Sequence, residues 1–215
     1  FVVECPSFLE LLKENAFDQF YHEHQSYFSM ISFRNLLERN GLKLFDIELV
    51  PVHGGTYRFF ACRQDSSIDI NHSNINKWEK QEKEFGVDSY EKLKERMSMM
   101  KQNMIDIKDT LEKIKSENKN IVGYGASAKF IQVSNMCNLN NDLISYVMDT
   151  TPDKQNKYTP KSRIPIEKYD KNKLKNVDYC FLGAWNFLDE IMEKEKEFIS
   201  NGGKFITHIP EVKII

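Results

Sequence analysis

Ile121-Val122-Gly123-Tyr124-Gly125-Ala126-Ser127-Ala128-Lys129 reads as an apolar strand, a glycine-bearing turn and the opening of a helix. The Gly123-x-Gly125 spacing is half of a dinucleotide fingerprint whose third glycine is absent. In this setting the turn amides are expected to face an anion held at the helix N-terminus, with Ser127 and Lys129 adding a hydroxyl and a cation. The next strand, 143–149, ends on Asp149, about where a ribose-binding carboxylate stands in such folds. A further strand over 177–183 leads into Trp185-Asn186, an aromatic and an amide suited to a nucleobase on the same carboxyl edge. The plainer alternatives are glycines present for sterics alone and a core tryptophan. A short extended piece at 164–166, a charged helix at 187–201 stopped by Gly202-Gly203, and a last strand at 204–209 complete a Rossmann-like, doubly wound domain over 119–215.

Upstream, Asp88 and Glu91 form a helix-start signal, and apolar residues recur at Tyr90, Leu93, Met97, Met100, Met104, Ile107, Leu111 and Ile114. The stripe predicts a helix over 89–115, a packing seam within a helical connector over 73–118 and a surface for a homo-oligomer contact. Residues 65–75 read as a polar linker. Residues 1–72 form the other domain: a strand at the start, a helix at 6–15, a strand at 17–24 and a helix at 29–40 with Ile31, Leu36 and Leu37 inward. A strand at 42–52, the Gly54-Gly55 turn and a strand at 56–62 follow, which predicts a parallel α/β sheet closed by an antiparallel hairpin. The opening Phe1-Val2-Val3-Glu4-Cys5 looks like the end of a strand, so the chain is expected to start inside a fold.

The 215 residues carry a formal charge of −2 and a pI near 6.3, which gives no general attraction to nucleic acid or an anionic membrane. Cys5, Cys62, Cys137 and Cys180 are far apart in apolar contexts, as in reduced cytoplasmic proteins. No apolar run approaches the roughly 18 residues of a membrane span.

The densest chemistry lies in Tyr21-His22-Glu23-His24, set between Phe17 and Phe20 on one side and Phe28, Met30 and Ile31 on the other. Two imidazoles, a carboxylate and a phenol are costly to bury for packing alone. Acid–base chemistry is preferred to an inert polar strand end. A metal site is disfavoured, because His22 and His24 would need a third ligand such as His53 or His72 and no pair stands at zinc-like spacing. As a strand, the segment would put both imidazoles on one face and Tyr21 with Glu23 on the other.

Four pieces carry a family resemblance: Phe20-Tyr21-His22-Glu23-His24-Gln25-Ser26-Tyr27-Phe28-Ser29, Val52-His53-Gly54-Gly55-Thr56-Tyr57-Arg58, Gly123-Tyr124-Gly125-Ala126-Ser127-Ala128-Lys129 and Ala184-Trp185-Asn186-Phe187. In order and content the chain resembles the C-terminal half to two-thirds of S-adenosylmethionine-dependent sugar C-methyltransferases, which methylate C-3 of a dTDP-4-keto-deoxysugar. The resemblance implies a small zinc-binding domain, a central class I methyltransferase domain and a C-terminal Rossmann-like domain that helps hold the nucleotide sugar. The zinc cysteines and the main cofactor loop are not among these residues. The expected fold is therefore the end of a methyltransferase sheet, then the connector and the second domain, a segment not expected to transfer methyl groups alone. Ala184 stands where members often have proline, and Phe130 where a small residue usually follows the lysine.

The implied roles are His24 as the base that removes the C-3 proton, Glu23 as its helper and Tyr21 as a hydrogen-bond donor to the sugar. His22, His53, Gly125, Ser127, Lys129, Asp149 and Asn186 would contact substrate. Two rival readings are a non-catalytic nucleotide-sugar-binding module and an NAD-dependent oxidoreductase built on the Gly123-x-Gly125 turn and Asp149.

Overall fold

A computed structural model describes residues 1–215, and the chain separates into two compact units, Phe1–Ala16 with His22–Ser98 and Phe17–Tyr21 with Met99–Ile215. The sequence division at 72 and 118 runs differently, since the helix His72–Phe85 belongs to the first unit and the longest helix crosses from one unit into the other.

In the first unit β1 (Val2–Pro6) leads through α1 (Phe8–Lys13) and α2 (Met30–Arg39) to β2 (Leu42–Val50) and β3 (Thr56–Arg63). The sheet is three-stranded, in the order β1-β3-β2, with both neighbouring pairs antiparallel. This corrects the expected parallel sheet: β1 and β2 run the same way, but β3 returns between them. The strand expected at 17–24 is also absent. Phe17–Gln19 is one turn of 3-10 helix, followed by a bend and turn through Tyr21, His22 and Glu23.

β3 alternates as a half-buried strand should, with Tyr57, Phe59 and Ala61 inside. In β2, Leu44 and Ile47 are both buried although three residues apart, because a bulge at this point takes Leu44 opposite Ala61 and Asp46 opposite Phe60. Leu49 follows on the same face, opposite Tyr57, where that face becomes exposed near the strand end. α2 buries Met30, Phe33 and Leu37, with Ser29 as its N-cap, while Leu36 is exposed. Phe33 stacks on Phe59 at 4.2 Å.

α3 (His72–Phe85), within the stretch read as connector, packs Ile75 and Trp78 inward. It also brings the fully buried Glu82 to the start of α2. That carboxylate accepts from Met30 N at 2.6 Å, Ile31 N at 3.0 Å and the Tyr57 hydroxyl at 3.1 Å. Amides at a helix N-terminus lack intrahelical partners, so a buried carboxylate is well placed there. Beside it, Arg34 grips Glu79 with two N–H groups, at 2.8 and 3.3 Å.

α4 (Tyr90–Ser116) has 27 residues, or ~40 Å at the usual rise. Ser89 caps it rather than Asp88, accepting from Leu93 N and, through Oγ, from Lys92 N. From Met100 onward it buries Met100, Ile107, Leu111 and Ile114, together with Asn103, which is outside the apolar pattern. In the first half Tyr90 and Met97 are exposed. No helix is long and apolar enough to cross a membrane.

The second unit holds a seven-stranded sheet formed by β4 (Ile121–Tyr124), β5 (Val147–Asp149), β6 (Lys157–Tyr158), β7 (Pro165–Lys168), β8 (Tyr179–Leu182), β9 (Lys204–Thr207) and β10 (Lys213–Ile214). The order is β10-β9-β8-β4-β5-β7-β6, parallel across the middle five strands with an antiparallel strand at each edge. β5 and β7 lie to one side of β4, and β8 and β9 to the other. The chain therefore reverses its direction of travel across the sheet between β4 and β8. In open α/β sheets ligands bind outside the carboxyl ends of the strands at such a point. The expected helix at 187–201 is broken into α6 (Leu188–Lys194) and α7 (Lys196–Ser200), and β5 is shorter than the strand expected at 143–149.

The Arg34 fork, and after it the Lys83 ammonium, hold the Glu79 carboxyl down to about 2, from an ordinary 4.5. A depressed folded-state value adds stability above the ordinary value that is lost as pH falls through the folded one. Urea unfolding should therefore show a contribution of about 1 kcal/mol that fades between pH 4.5 and 2 and is missing in Glu79→Gln.

Candidate functional site

The edge where β4 and β8 diverge is built by α5 (Ala128–Met136), which follows the Gly125-Ala126-Ser127 turn. Ser127 caps α5 by accepting from Phe130 N at 3.1 Å, and its hydroxyl reaches Gly183 O at 3.4 Å. Phe130 is fully buried, and its size is accommodated by two glycines. A Cβ on Gly123 would lie 2.7 Å from the Phe130 ring, and one on Gly183 would lie 2.4 Å from Phe130 Cβ. Gly125 has φ +82° and open space where a Cβ would stand, so backbone and ligand could approach closely there.

The turn amides are not offered to an anion as the sequence suggested. Gly125 N donates to Met148 O and Ala126 N to Asp149 Oδ2, both at 2.8 Å. Asp149 is buried, and its other oxygen accepts from Thr151 N at 2.7 Å. Desolvation pushes this carboxyl up, but the Thr151 and Ala126 donors and the Lys154 charge outweigh it and hold it below the usual range. Asp149 thus knots the ends of β4 and β5. Any anion at this edge is left to the α5 amides ahead of Phe130, whose own N–H is taken by Ser127, and to the Lys129 ammonium.

Lys129 is nearly buried. Its Nζ donates to Asn186 Oδ1 at 3.2 Å and lies over the Trp185 ring at 4.4 Å. Burial lowers its pKa, opposed by the charge of Asp18. The structure thus brings Ser127, Lys129, Trp185 and Asn186 together at the divergence of β4 and β8.

Two residues that the sequence reading passed over complete this cluster. Asp18 and His208 are fully buried, and Asp18 Oδ2 receives the Trp185 indole N–H at 2.8 Å and faces His208 Nε2 at 2.9 Å. His208 Nδ1 has no partner, so the tautomer with its proton on Nε2 satisfies the pair. The imidazole stacks on Phe181 at 5.5 Å. The available signals were a carboxylate in the apolar run Ala16-Phe17-Asp18-Gln19-Phe20 and a lone histidine in Phe205-Ile206-Thr207-His208-Ile209.

A second polar cluster lies by the break between α6 and α7. Glu195 is fully buried and accepts from the Tyr124 and Tyr169 hydroxyls, each at 2.7 Å, while Lys194 lies 3.8 Å from the Tyr169 ring centre. Tyr124, Gly125, Met148, Asp149, Tyr169 and Lys194 help line a cavity of about 280 Å³ at the carboxyl ends of β4 and β5.

The Tyr21-to-His24 cluster does not have the two-faced strand geometry expected of it. Tyr21 and His24 are half-buried, His22 and Glu23 exposed, and the His24 ring meets Tyr27 edge-on at 6.2 Å. His53 is exposed in the β2–β3 turn, with φ +54°. His22, His24 and His53 do not come together as ligands, and no group of three His, Cys, Asp or Glu side chains is arranged to hold a metal. Burial pushes the thiols of Cys5, Cys137 and Cys180 up, to about 11 and about 12 for the first two.

Residues 51–210, which run from the β2–β3 turn through nearly all of the second unit, match the family model for the C-methyltransferase C-terminal domain. The chain belongs to the C-methyltransferase C-terminal domain family. It is also 35% identical to the C-methyltransferase NovU of Streptomyces niveus over 215 residues, all of this chain and 51% of that protein. The chain spans about half the length of the curated relative it matches.

In this C-methyltransferase domain, the knot at Asp149 has a direct test. Asp149→Asn leaves one acceptor for two backbone donors, so it should cost about 2 kcal/mol. Hydrogen exchange should accelerate at the amides of Ala126 and Thr151, and unaltered protection would show that the knot does not hold the turn.

Proposed function

We propose that the protein is an S-adenosylmethionine-dependent C-methyltransferase acting on the carbon beside the keto group, C-3, of a nucleotide-activated keto-deoxysugar, with dTDP as the nucleotide. The family match over residues 51–210 carries this reading. It is supported by Ser127, Lys129, Trp185 and Asn186 at the point where β4 and β8 diverge, a place suited to a nucleoside diphosphate. In this reading the β1-β3-β2 sheet is the end of a class I methyltransferase sheet, α4 is the connector and the seven-stranded unit is Rossmann-like.

A hydrogen on carbon next to a carbonyl is weakly acidic, and its loss moves charge onto the carbonyl oxygen. His24 takes that proton, since an imidazole is matched to neutral pH. Glu23 orients the imidazole or a sugar hydroxyl, and Tyr21 donates a hydrogen bond to the sugar. The enolate carbon then bonds to the methyl carbon as its bond to sulfur breaks, and the sulfur keeps the electron pair. S-adenosylmethionine is the methyl-donating co-substrate. Proximity supplies most of the acceleration. Lys129 and Asn186 hold the diphosphate and base with Ser127, and Gly125 gives them room. Asp149 acts by shaping the turn and the adjoining cavity, and His22 and His53 add sugar contacts.

This segment is assigned the proton transfer and the sugar grip, not the holding of the methyl donor. No strand-to-helix glycine cradle exists in the first unit. Its glycine pair turns the β2–β3 hairpin, and the room beside Gly55 is filled by Glu10, 2.9 Å from where a Cβ would stand.

In the protein as its gene encodes it, His24→Ala and Glu23→Gln should each reduce turnover by about 100-fold or more. dTDP affinity, read by calorimetry, should be unchanged. Near-normal turnover in either variant would refute these roles, and binding of NAD in preference to dTDP would overturn the substrate class.

A further inference from the structure

We propose that Asp18 is a positioning residue of the sugar-nucleotide crevice, holding the Trp185 indole and, through that ring, Lys129 and Asn186. The inference rests on the function proposed above. Asp18 lies in the 3-10 turn Phe17–Gln19, which packs against α5, and contributes no atom to the surface. Its Oδ2 is shared by the Trp185 N–H and His208 Nε2, while Oδ1 has no partner. A carboxylate so placed is costly for packing alone. What it does provide is direction: the N–H bond sets the plane of a half-exposed indole.

The face of that indole carries the Lys129 ammonium at 4.4 Å, and Lys129 donates in turn to Asn186, the residue next to Trp185. Rotation of the ring would remove the surface on which the ammonium rests. Burial disfavours the charged lysine, and the negative charge on Asp18 opposes that effect, so the same carboxylate also favours the cationic form an anionic diphosphate needs. His208 closes the arrangement from behind: it is wedged by Phe181, and its backbone oxygen accepts from Asn103 of α4 at 2.7 Å. The chain leaves this anchored turn and reaches Tyr21, in the same unit, within three residues. One buried carboxylate therefore fixes both the cation and the base of the segment that carries Tyr21.

Asp18→Asn, which keeps the shape and removes the charge, and Trp185→Phe, which keeps a ring under Lys129 and removes the N–H, test this in the protein as encoded. Wild type must first bind dTDP and methylate a dTDP-keto-deoxysugar. If it does neither, the function proposed above falls, and this inference with it. Given an active wild type, both variants should raise the nucleotide-sugar KM about 10-fold and lower kcat by up to about 100-fold. The KM for S-adenosylmethionine should stay constant, and the double variant should be little worse than the worse single one. If Asp18→Asn fails to fold, Trp185→Phe decides alone. Wild-type kinetics in Trp185→Phe, or a parallel rise in both KM values with a smaller active fraction, would leave Asp18 a structural residue and overturn the inference.

Discussion

The space claimed by one phenyl ring sets the carboxyl edge of the second unit. Phe130 is wholly enclosed, and the backbone of β4 and the segment after β8 come close enough to it that neither Gly123 nor Gly183 can carry a side chain. Gly123 lies in β4 and Gly183 directly follows β8, the two strands that flank the reversal in the sheet, so the ring seats the start of α5 directly over it. Ser127 is thereby brought to the Gly183 carbonyl and Lys129 to Asn186. The two glycines serve a steric purpose, while Gly125, with its left-handed backbone and empty flank, is the one that leaves room for a guest.

Much of the second unit was legible from residue order, because strand, glycine turn and capped helix form a local pattern. The helix after the glycine turn and the strand before Trp185-Asn186 are present, and Ser127, expected only as a hydroxyl for an anion, caps α5. What was not legible depended on long-range bonds. The Asp149 carboxylate lies where the pattern predicts, but it is consumed by the amides of Ala126 and Thr151, and no spacing rule reveals that. Likewise, residues 17–24 have the composition of a strand, yet Asp18 is bonded to residues some 170 and 190 positions away, which holds the chain in a turn.

In the first unit the hairpin strands and the helix over 29–40 agree with the sequence pattern, while the strand at 17–24, the inward Leu36 and the sheet direction do not. A chain that alternates strands and helices suggests a parallel sheet, and only the insertion of β3 between β1 and β2 reverses both pairings. The bulge in β2 acts on a smaller scale, since it brings Ile47 onto the face of Leu44, a place that simple alternation would deny it. Along α4 the apolar period was continuous, but burial was not: Asn103 earns an interior place through the carbonyls of His208 and Pro210, while Tyr90 and Met97 remain outside.

The break at Glu195 links three residues that lie far apart in the chain. Its single Oε1 serves the phenols of Tyr124 and Tyr169, one at the end of β4 and the other just after β7. Aspartate would fall a methylene short of both, and phenylalanine at either tyrosine would leave the acid with one donor fewer in a dry setting. Evolutionary drift at these three positions should therefore be correlated, with relatives either keeping the triad intact or replacing all of it by an apolar set.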